Sequence, residues 1–328
     1  MTSERGVAFR IAFAVGLHLG ASSLAAQVGA EPTSPEACKA LVSDSERLAC
    51  YDRALGRDLE AVTAPVVDRP RSLIDSRWEL LADSKLGTFS MRAHQPIYIL
   101  PWVRARAASP SPESLDPAEL EFQVSWKTKA WQGVFGDVGD LWLAYTQSSR
   151  WQIYDAESSR PFRETNYEPE VLLVFATYYR ILGWDARLLS VGLNHESNGR
   201  DNPRSRSWNR VTAAVGLERN GWTFTARPWW RVPESAPEDD NPDIEDHLGR
   251  GELQLVRHVR NHEFAALLRH SLRGGDRSRG SVQLDWAFPI RGNLRARAQL
   301  FHGYAENLID YDFLTTRIGF GISLIEWY

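Results

Sequence analysis

Past its N-terminus the chain has no long apolar run: no later segment offers the ~18 apolar residues that a transmembrane helix needs. Charge of one sign is equally lacking. Against 38 Lys and Arg stand 42 Asp and Glu, for a net charge of −4, so nucleic-acid binding has no electrostatic support. Cysteine is scarce, with two in 328 residues, while aromatics make up 11% and include 13 Trp. The one apolar run lies at the start. Arg5 and Arg10 precede Ile11 to Leu17, and small residues follow from Ala21 to Ala26. That is the layout of a secretory signal peptide over residues 1–26, although His18 interrupts its apolar core.

Export gives the two cysteines a meaning. In an oxidising compartment Cys38 and Cys50 are expected to close the loop CKALVSDSERLAC as a disulfide. The surrounding segment, 27–76, is charged, contains proline and is helix-like from Glu46 to Leu59. It reads as a periplasmic N-terminal appendage and linker.

From about Phe89 the pattern becomes strand-like. Leu120, Phe122, Val124 and Trp126 alternate with polar residues, as do Val282, Leu284, Trp286 and Phe288, and Leu294, Ala296, Ala298 and Leu300. A soluble sandwich alternates too, so the connections decide. Twelve strands are expected near 91–104, 118–129, 139–151, 169–181, 185–197, 207–218, 222–232, 249–259, 262–272, 280–290, 294–304 and 314–328. Short turns such as Arg219 to Gly221 and Arg291 to Asn293 alternate with long connections such as Gln152 to Glu168 and Pro233 to Asp246. This predicts an all-β fold, a 12-stranded antiparallel transmembrane β-barrel of the bacterial outer membrane, with both termini periplasmic. Ile318, Phe320, Ile322, Leu324 and Tyr328 share parity, as in a closing strand, and Glu326 breaks the series.

One stretch stands apart, LSVGLNHESNGRDNPRSRSWNR from Leu189 to Arg210. His195 and Ser197 share a face with Leu189, Val191 and Leu193, and Asn209 shares the face of Val211, Ala213, Val215 and Leu217. All three lie on the apolar side. Turn-flanking polar residues at a hairpin tip would look the same. In a barrel, however, that parity points to lipid, where polar side chains are costly. A nucleophile, a base and an orienting group facing acyl chains suggest a lipid ester as substrate.

The runs YTQSSRWQ from Tyr145, RPFRETNYEPEV from Arg160, HESNGRDNPRSRSWNR from His195, DDNPDI from Asp239 and GYAENLIDYDF from Gly303 resemble outer-membrane phospholipase A. The resemblance spans about Leu141 to the C-terminus in ordered blocks and implies a phospholipase barrel over 77–328. It implies calcium-dependent hydrolysis of acyl esters of phospholipids and lysophospholipids, with A1 and A2 activity. Its triad positions match Ser197 as nucleophile, His195 as general base and acid, and Asn209 as the group that orients His195. Gly199 matches the backbone oxyanion donor. Calcium ligands match Arg200 and Ser205 of one protomer and Ser159 of its partner. A second calcium position matches Asp240, but its other aspartate falls on Asn202, with Asp201 alongside. The resemblance further implies a homodimer, active when associated, with Gln147 at the interface. On parity alone Gln147 presents its amide to lipid in a monomer, and pairing with a second copy would satisfy it. Two other classes remain open on sequence alone, a passive outer-membrane pore and a catalytically silent structural or adhesion barrel.

Overall fold

The structure is a computed structural model that describes residues 34–55, 72–106 and 116–328. The expected signal peptide, the linker at 56–71 and most of the first long loop lie outside the described residues. The chain divides into two compact units, Met1–Arg69 and Pro70–Tyr328.

In the first unit, helix α1 (Pro35–Cys38) is capped by Ser34 and followed by α2 (Asp44–Ala54). A Cys38–Cys50 disulfide ties the end of α1 to α2, and both cysteines are fully buried.

The second unit is a closed antiparallel barrel of twelve long strands: β1 (Ile97–Ala105), β2 (Ala118–Trp131), β3 (Asp140–Trp151), β4 (Phe162–Ala176), β5 (Trp184–Ser197), β6 (Ser207–Arg219), β7 (Trp222–Arg231), β8 (Gly251–Val259), β9 (His262–His270), β10 (Gly280–Arg291), β11 (Leu294–Gly303) and β12 (Thr315–Ile325). Each strand pairs with its sequence neighbour. β12 pairs with β1, with Phe320 opposite Trp102, and closes the sheet. Closure removes the sheet edges, the condition for spanning lipid with strands. The alternation behaves as expected. Leu189, Val191 and Leu193 are exposed on the outer wall of β5, while Ala186, Leu188, Ser190 and Asn194 are buried in the lumen. At the short-turn end, Leu182–Gly183 and Asn220–Gly221 have φ of +51°, +82°, +48° and +75°, the consecutive left-handed pairs that tight hairpins require.

Three expected boundaries differ. The first strand starts at Ile97; Met91–Arg92 pairs separately with Lys127 and Thr128. β4 spans 162–176 rather than 169–181, because its backbone ladder with β3 continues to Trp151 and Phe162. Toward the loops the outward face need not be apolar, so the stretch RETNYE paired as strand without showing a strand's hydrophobic pattern. The last strand stops at Ile325. Glu326 turns inward to Arg297 and Ser323, and the Trp327 and Tyr328 amides reach Glu263 at 3.1 and 3.4 Å, so Tyr328 does not extend the outward row.

Much of the lumen's charge is buried and ion-paired, while the buried Lys127 ammonium lies 3.2 Å from the centre of the Trp78 ring. Arg297 lies between Asp285, at 2.8 Å, and Glu326. Near the long loops, Arg163 reaches Glu119 and Asp310, both at 2.7 Å, and Arg317 reaches Glu119, Glu121 and Glu306. The short-turn end is closed by α3 (Leu73–Trp78). Its N-cap Ser72 accepts from Asp75 N and donates to Glu218 Oε2 at 2.6 Å. Ile74, Trp78 and Leu80 pack on Trp142, Leu172, Val174 and Leu188. α3 belongs to the barrel unit, which begins at Pro70, ahead of Arg77. A lumen crossed by these buried ion pairs is not the open, water-lined channel of a passive pore.

Candidate active site on the lipid-facing wall

β5 and β6 run antiparallel in a register that sets His195 directly opposite Asn209 and Ser197 opposite Ser207. Direct cross-strand partners on one face are close enough for their side chains to meet. Here His195 Nδ1 and Asn209 Oδ1 lie 2.9 Å apart. Both sit at the long-loop end of the wall, half-buried, above Leu193 and Val211, which are exposed. Ser197 stands two residues further along the same face, opposite Tyr167 of β4. Its hydroxyl makes no hydrogen bond to the imidazole in this structure. Such bonds are often long before substrate binds and tighten afterwards.

The wall behind this cluster is held by packed rings and ion pairs. Trp208, fully buried on the lumen side, donates to Glu196 at 3.1 Å and packs edge to face on Trp229, with ring centroids 6.3 Å apart. Arg210 lies 4.1 Å from the Trp208 ring and bridges Glu196, at 2.7 Å, to Glu168, at 3.2 Å. α4 (Ile244–His247), with Leu248, Leu308 and Tyr311, packs with these tryptophans near the long loops. A site on strands backed by satisfied polar pairs keeps its geometry better than one on a free loop.

The loop from Asn198 to Arg206 is folded by its own bonds. Asn198 N donates to Arg206 O at 3.0 Å, and Asn198 Oδ1 accepts from Arg206 N at 3.0 Å and Arg200 N at 3.3 Å. The Gly199 N–H takes no part in them, and Gly199 has φ +64°, a left-handed conformation suited to glycine. The Arg200 side chain is drawn away to the carbonyls of Phe162 and Arg163 and to Glu164 at 3.1 Å. The Ser205 hydroxyl donates to Asp240. Ser205 and Asp240, matched in sequence to two different calcium positions, are therefore in direct contact. Ser159 lies in the β3–β4 loop with φ +60°. Nearby, the Ser158 backbone and hydroxyl hold the half-buried Asp155 carboxyl below its usual range. Among the described residues no three His, Cys, Asp or Glu side chains form a metal cluster.

The expectation that the Gln147 amide is unpaired within one protomer requires a correction. Its amide is satisfied along its own strand wall, accepting from Tyr145 OH at 3.1 Å and donating to Ser149 Oγ at 3.3 Å, with Thr165 of β4 continuing the chain. Residues two apart on one face of a strand are neighbours, a contact the unpaired-amide argument left out. Sequence reasoning also missed Glu234, whose Oε1 accepts from Asn209 Nδ2 at 3.1 Å. It sits in a loop, where parity gives no signal.

Fold and site together define a class: an outer-membrane β-barrel carrying Ser, His and Asn on the wall that faces lipid. The phospholipase A1 family model matches residues 74–324, and the chain belongs to that family. It is similar to the phospholipase A1 of Escherichia coli strain K12, with 40% identity over 210 residues, 64% of this chain and 71% of that protein. Among solved structures it resembles the Salmonella typhi outer membrane phospholipase dimer with bound calcium, at TM-score 0.69 and 32% identity, covering 74% of this chain and 95% of that one. It also resembles an active-site asparagine-to-alanine mutant of Escherichia coli outer membrane phospholipase A, at TM-score 0.71 and 32% identity, covering 78% and 100%. The protein is thus a carboxylic ester hydrolase of phospholipase A1 type, located in the bacterial outer membrane.

Proposed function

We propose that the chain hydrolyses acyl esters of phospholipids and lysophospholipids at the outer, lipid-facing wall through Ser197, His195 and Asn209, with calcium, and as a homodimer. The observation that carries this reading is the 2.9 Å contact between His195 Nδ1 and Asn209 Oδ1 on a wall of apolar residues. On an apolar wall a polar pair of this kind is costly and calls for a purpose.

Asn209 Oδ1 accepts the Nδ1 proton, which leaves Nε2 as the base on the side of Ser197. Ser197 Oγ attacks the ester carbonyl carbon and its proton passes to Nε2. The ester C–O bond then breaks, and the same proton goes to the leaving alcohol. Water activated by His195 releases the fatty acid and restores Ser197. The Gly199 N–H donates to the developing oxyanion.

For calcium, the Arg200 carbonyl and Ser205 hydroxyl of one protomer and Ser159 of the partner subunit would hold the ion. The donors are all oxygen, as a hard cation prefers, the Arg200 guanidinium is anchored elsewhere, and Ser205 already faces the Asp240 carboxylate. When bound, the ion supplies positive charge near the oxyanion. The dimeric, calcium-bound relative supports this part of the reading, and the active-site asparagine of another relative supports the role of Asn209. In this reading the dimer forms on the wall around Gln147, and the long loops face outward. Residues 1–26 are the cleaved signal peptide, and the disulfide-bonded unit lies in the periplasm.

Labelling with a long-chain alkyl fluorophosphonate tests the nucleophile. The adduct is expected on Ser197, with the rate lost in His195→Ala; an adduct on any other residue overturns the assignment.

A further inference from the structure

We propose that Glu234, in the loop after β7, is a positioning residue that extends the triad into a four-membered relay, Ser197, His195, Asn209 and Glu234. The proposal rests on the triad reading above. Its starting point is an ambiguity in the chemistry of Asn209. A side-chain amide can turn either its oxygen or its NH2 toward a histidine. Only the oxygen-first orientation accepts the Nδ1 proton and leaves Nε2 free to act as base. Within the triad nothing enforces that choice.

Glu234 enforces it. Its Oε1 stands 3.1 Å from Asn209 Nδ2, and an ionised carboxylate can only accept. The NH2 is therefore held toward Glu234, and Oδ1 toward His195. The loop places the carboxylate firmly. Val232 N donates to the Asn209 carbonyl at 2.8 Å, which pins the chain two residues before Glu234. The following turn is closed by Glu238 N and Asp239 N on Ser235 O, at 2.8 and 3.0 Å, and by Ser235 Oγ on Glu238 at 2.8 Å. The second carboxylate oxygen, Oε2, is buried without a hydrogen bond and faces Arg231 Nη2 at 3.5 Å. Arg231 is itself fixed by Asp239 at 2.5 Å and by the carbonyls of Asn241 and Pro242, both at 3.2 Å.

The arrangement also answers an electrostatic problem. A neutral amide steadies the imidazolium formed in catalysis less than a carboxylate does, yet a carboxylate against the histidine would sit closer to lipid. One residue further out, beside the polar loop, Glu234 supplies the negative charge through the polarised amide. The other charged or titratable groups bearing on the relay are Arg231 at the end of β7, Asp239 of this loop and Tyr167 of β4, opposite Ser197. Glu196 and Arg210 face the lumen and pair with each other.

The test compares Glu234→Gln, Glu234→Asp, Asn209→Ala and the double variant Asn209→Ala/Glu234→Gln, with Ser197→Ala as reference. All are full-length, in detergent micelles with calcium, and assayed for fatty-acid release from phosphatidylcholine across pH. Glu234→Gln keeps the shape of the side chain and one acceptor oxygen but removes the charge and lets an NH2 face Asn209 instead, so kcat is expected to fall about 5- to 10-fold with KM unchanged, the difference between a charged and a neutral hydrogen bond. The acid limb of its kcat/KM profile should move to lower pH by about half a unit, because a negative charge near the base is gone. Glu234→Asp should restore at least part of the rate. In the Asn209→Ala background Glu234→Gln should cost nothing further, since it acts through that amide. A wild-type rate and pH profile for Glu234→Gln, or an equal loss with and without Asn209, overturns the proposal. Retained hydrolysis in Ser197→Ala overturns the triad itself, so the two failures are distinguishable.

Discussion

Replacing Gly199 by alanine separates the oxyanion assignment from general damage to the loop. At φ +64° an alanine pays the left-handed penalty, about 1–2 kcal/mol. Its Cβ would also meet Tyr167 Cε2 at 3.1 Å, so the ring or the loop must yield by roughly a few tenths of an ångström. Both effects move the 199 amide away from Ser197. Loss of one oxyanion donor costs about 10²–10³ in kcat, far more than the local strain costs in barrel stability. Gly136, in the β2–β3 turn, is the matched control. It has φ +78° and nothing within 4 Å of an added Cβ, so Gly136→Ala carries the backbone penalty without touching the site. Fatty-acid release and thermal unfolding in detergent should show a small destabilisation of both variants, somewhat larger for Gly199→Ala, but loss of activity only in Gly199→Ala. A Gly199→Ala enzyme with kcat within threefold of wild type would refute the oxyanion role.

Two further outcomes follow from the packing. Glu119→Gln removes one charge from the cluster of Arg163, Arg317 and Glu306, leaving buried guanidinium groups short of a counter-ion. It should cost about 3 kcal/mol in urea unfolding from lipid vesicles, and a loss under about 1 kcal/mol would contradict the lumen description. Tyr311, in the β11–β12 loop, donates to Asp243 at 2.5 Å, and burial together with that carboxylate pushes its phenol pKa up. The folded state thus keeps a proton that the unfolded chain releases near pH ~10. The resulting stability is fully present below that pH and is lost as pH rises through the higher, folded-state value. Tyr311→Phe should lower stability at neutral pH by about 1 kcal/mol and flatten the alkaline part of its pH dependence; an unchanged alkaline slope would contradict the assignment.

Much of this architecture was legible because lipid imposes a strict period of two. Parity alone put His195, Ser197 and Asn209 on the outer wall, and the register then set His195 against Asn209. The same rule failed where lipid stops. Residues 162–168 extend β4 without an apolar face to mark them, and Tyr328 was read as outward although Glu326 finds its cation inside. Parity left the Gln147 amide without a partner because it says which wall a side chain occupies but not that Tyr145 and Ser149 lie within reach. Glu234 and the Ser205–Asp240 contact were invisible for a different reason. Both depend on where loops fold back, which no local pattern encodes.

The most direct test of the central claim is phospholipid hydrolysis by the purified protein in detergent micelles, wild type beside Ser197→Ala, each with calcium and with chelator. Fatty-acid release that requires both the Ser197 hydroxyl and calcium is the predicted result. Undiminished release from Ser197→Ala, or release from wild type that chelation leaves unchanged, would contradict it.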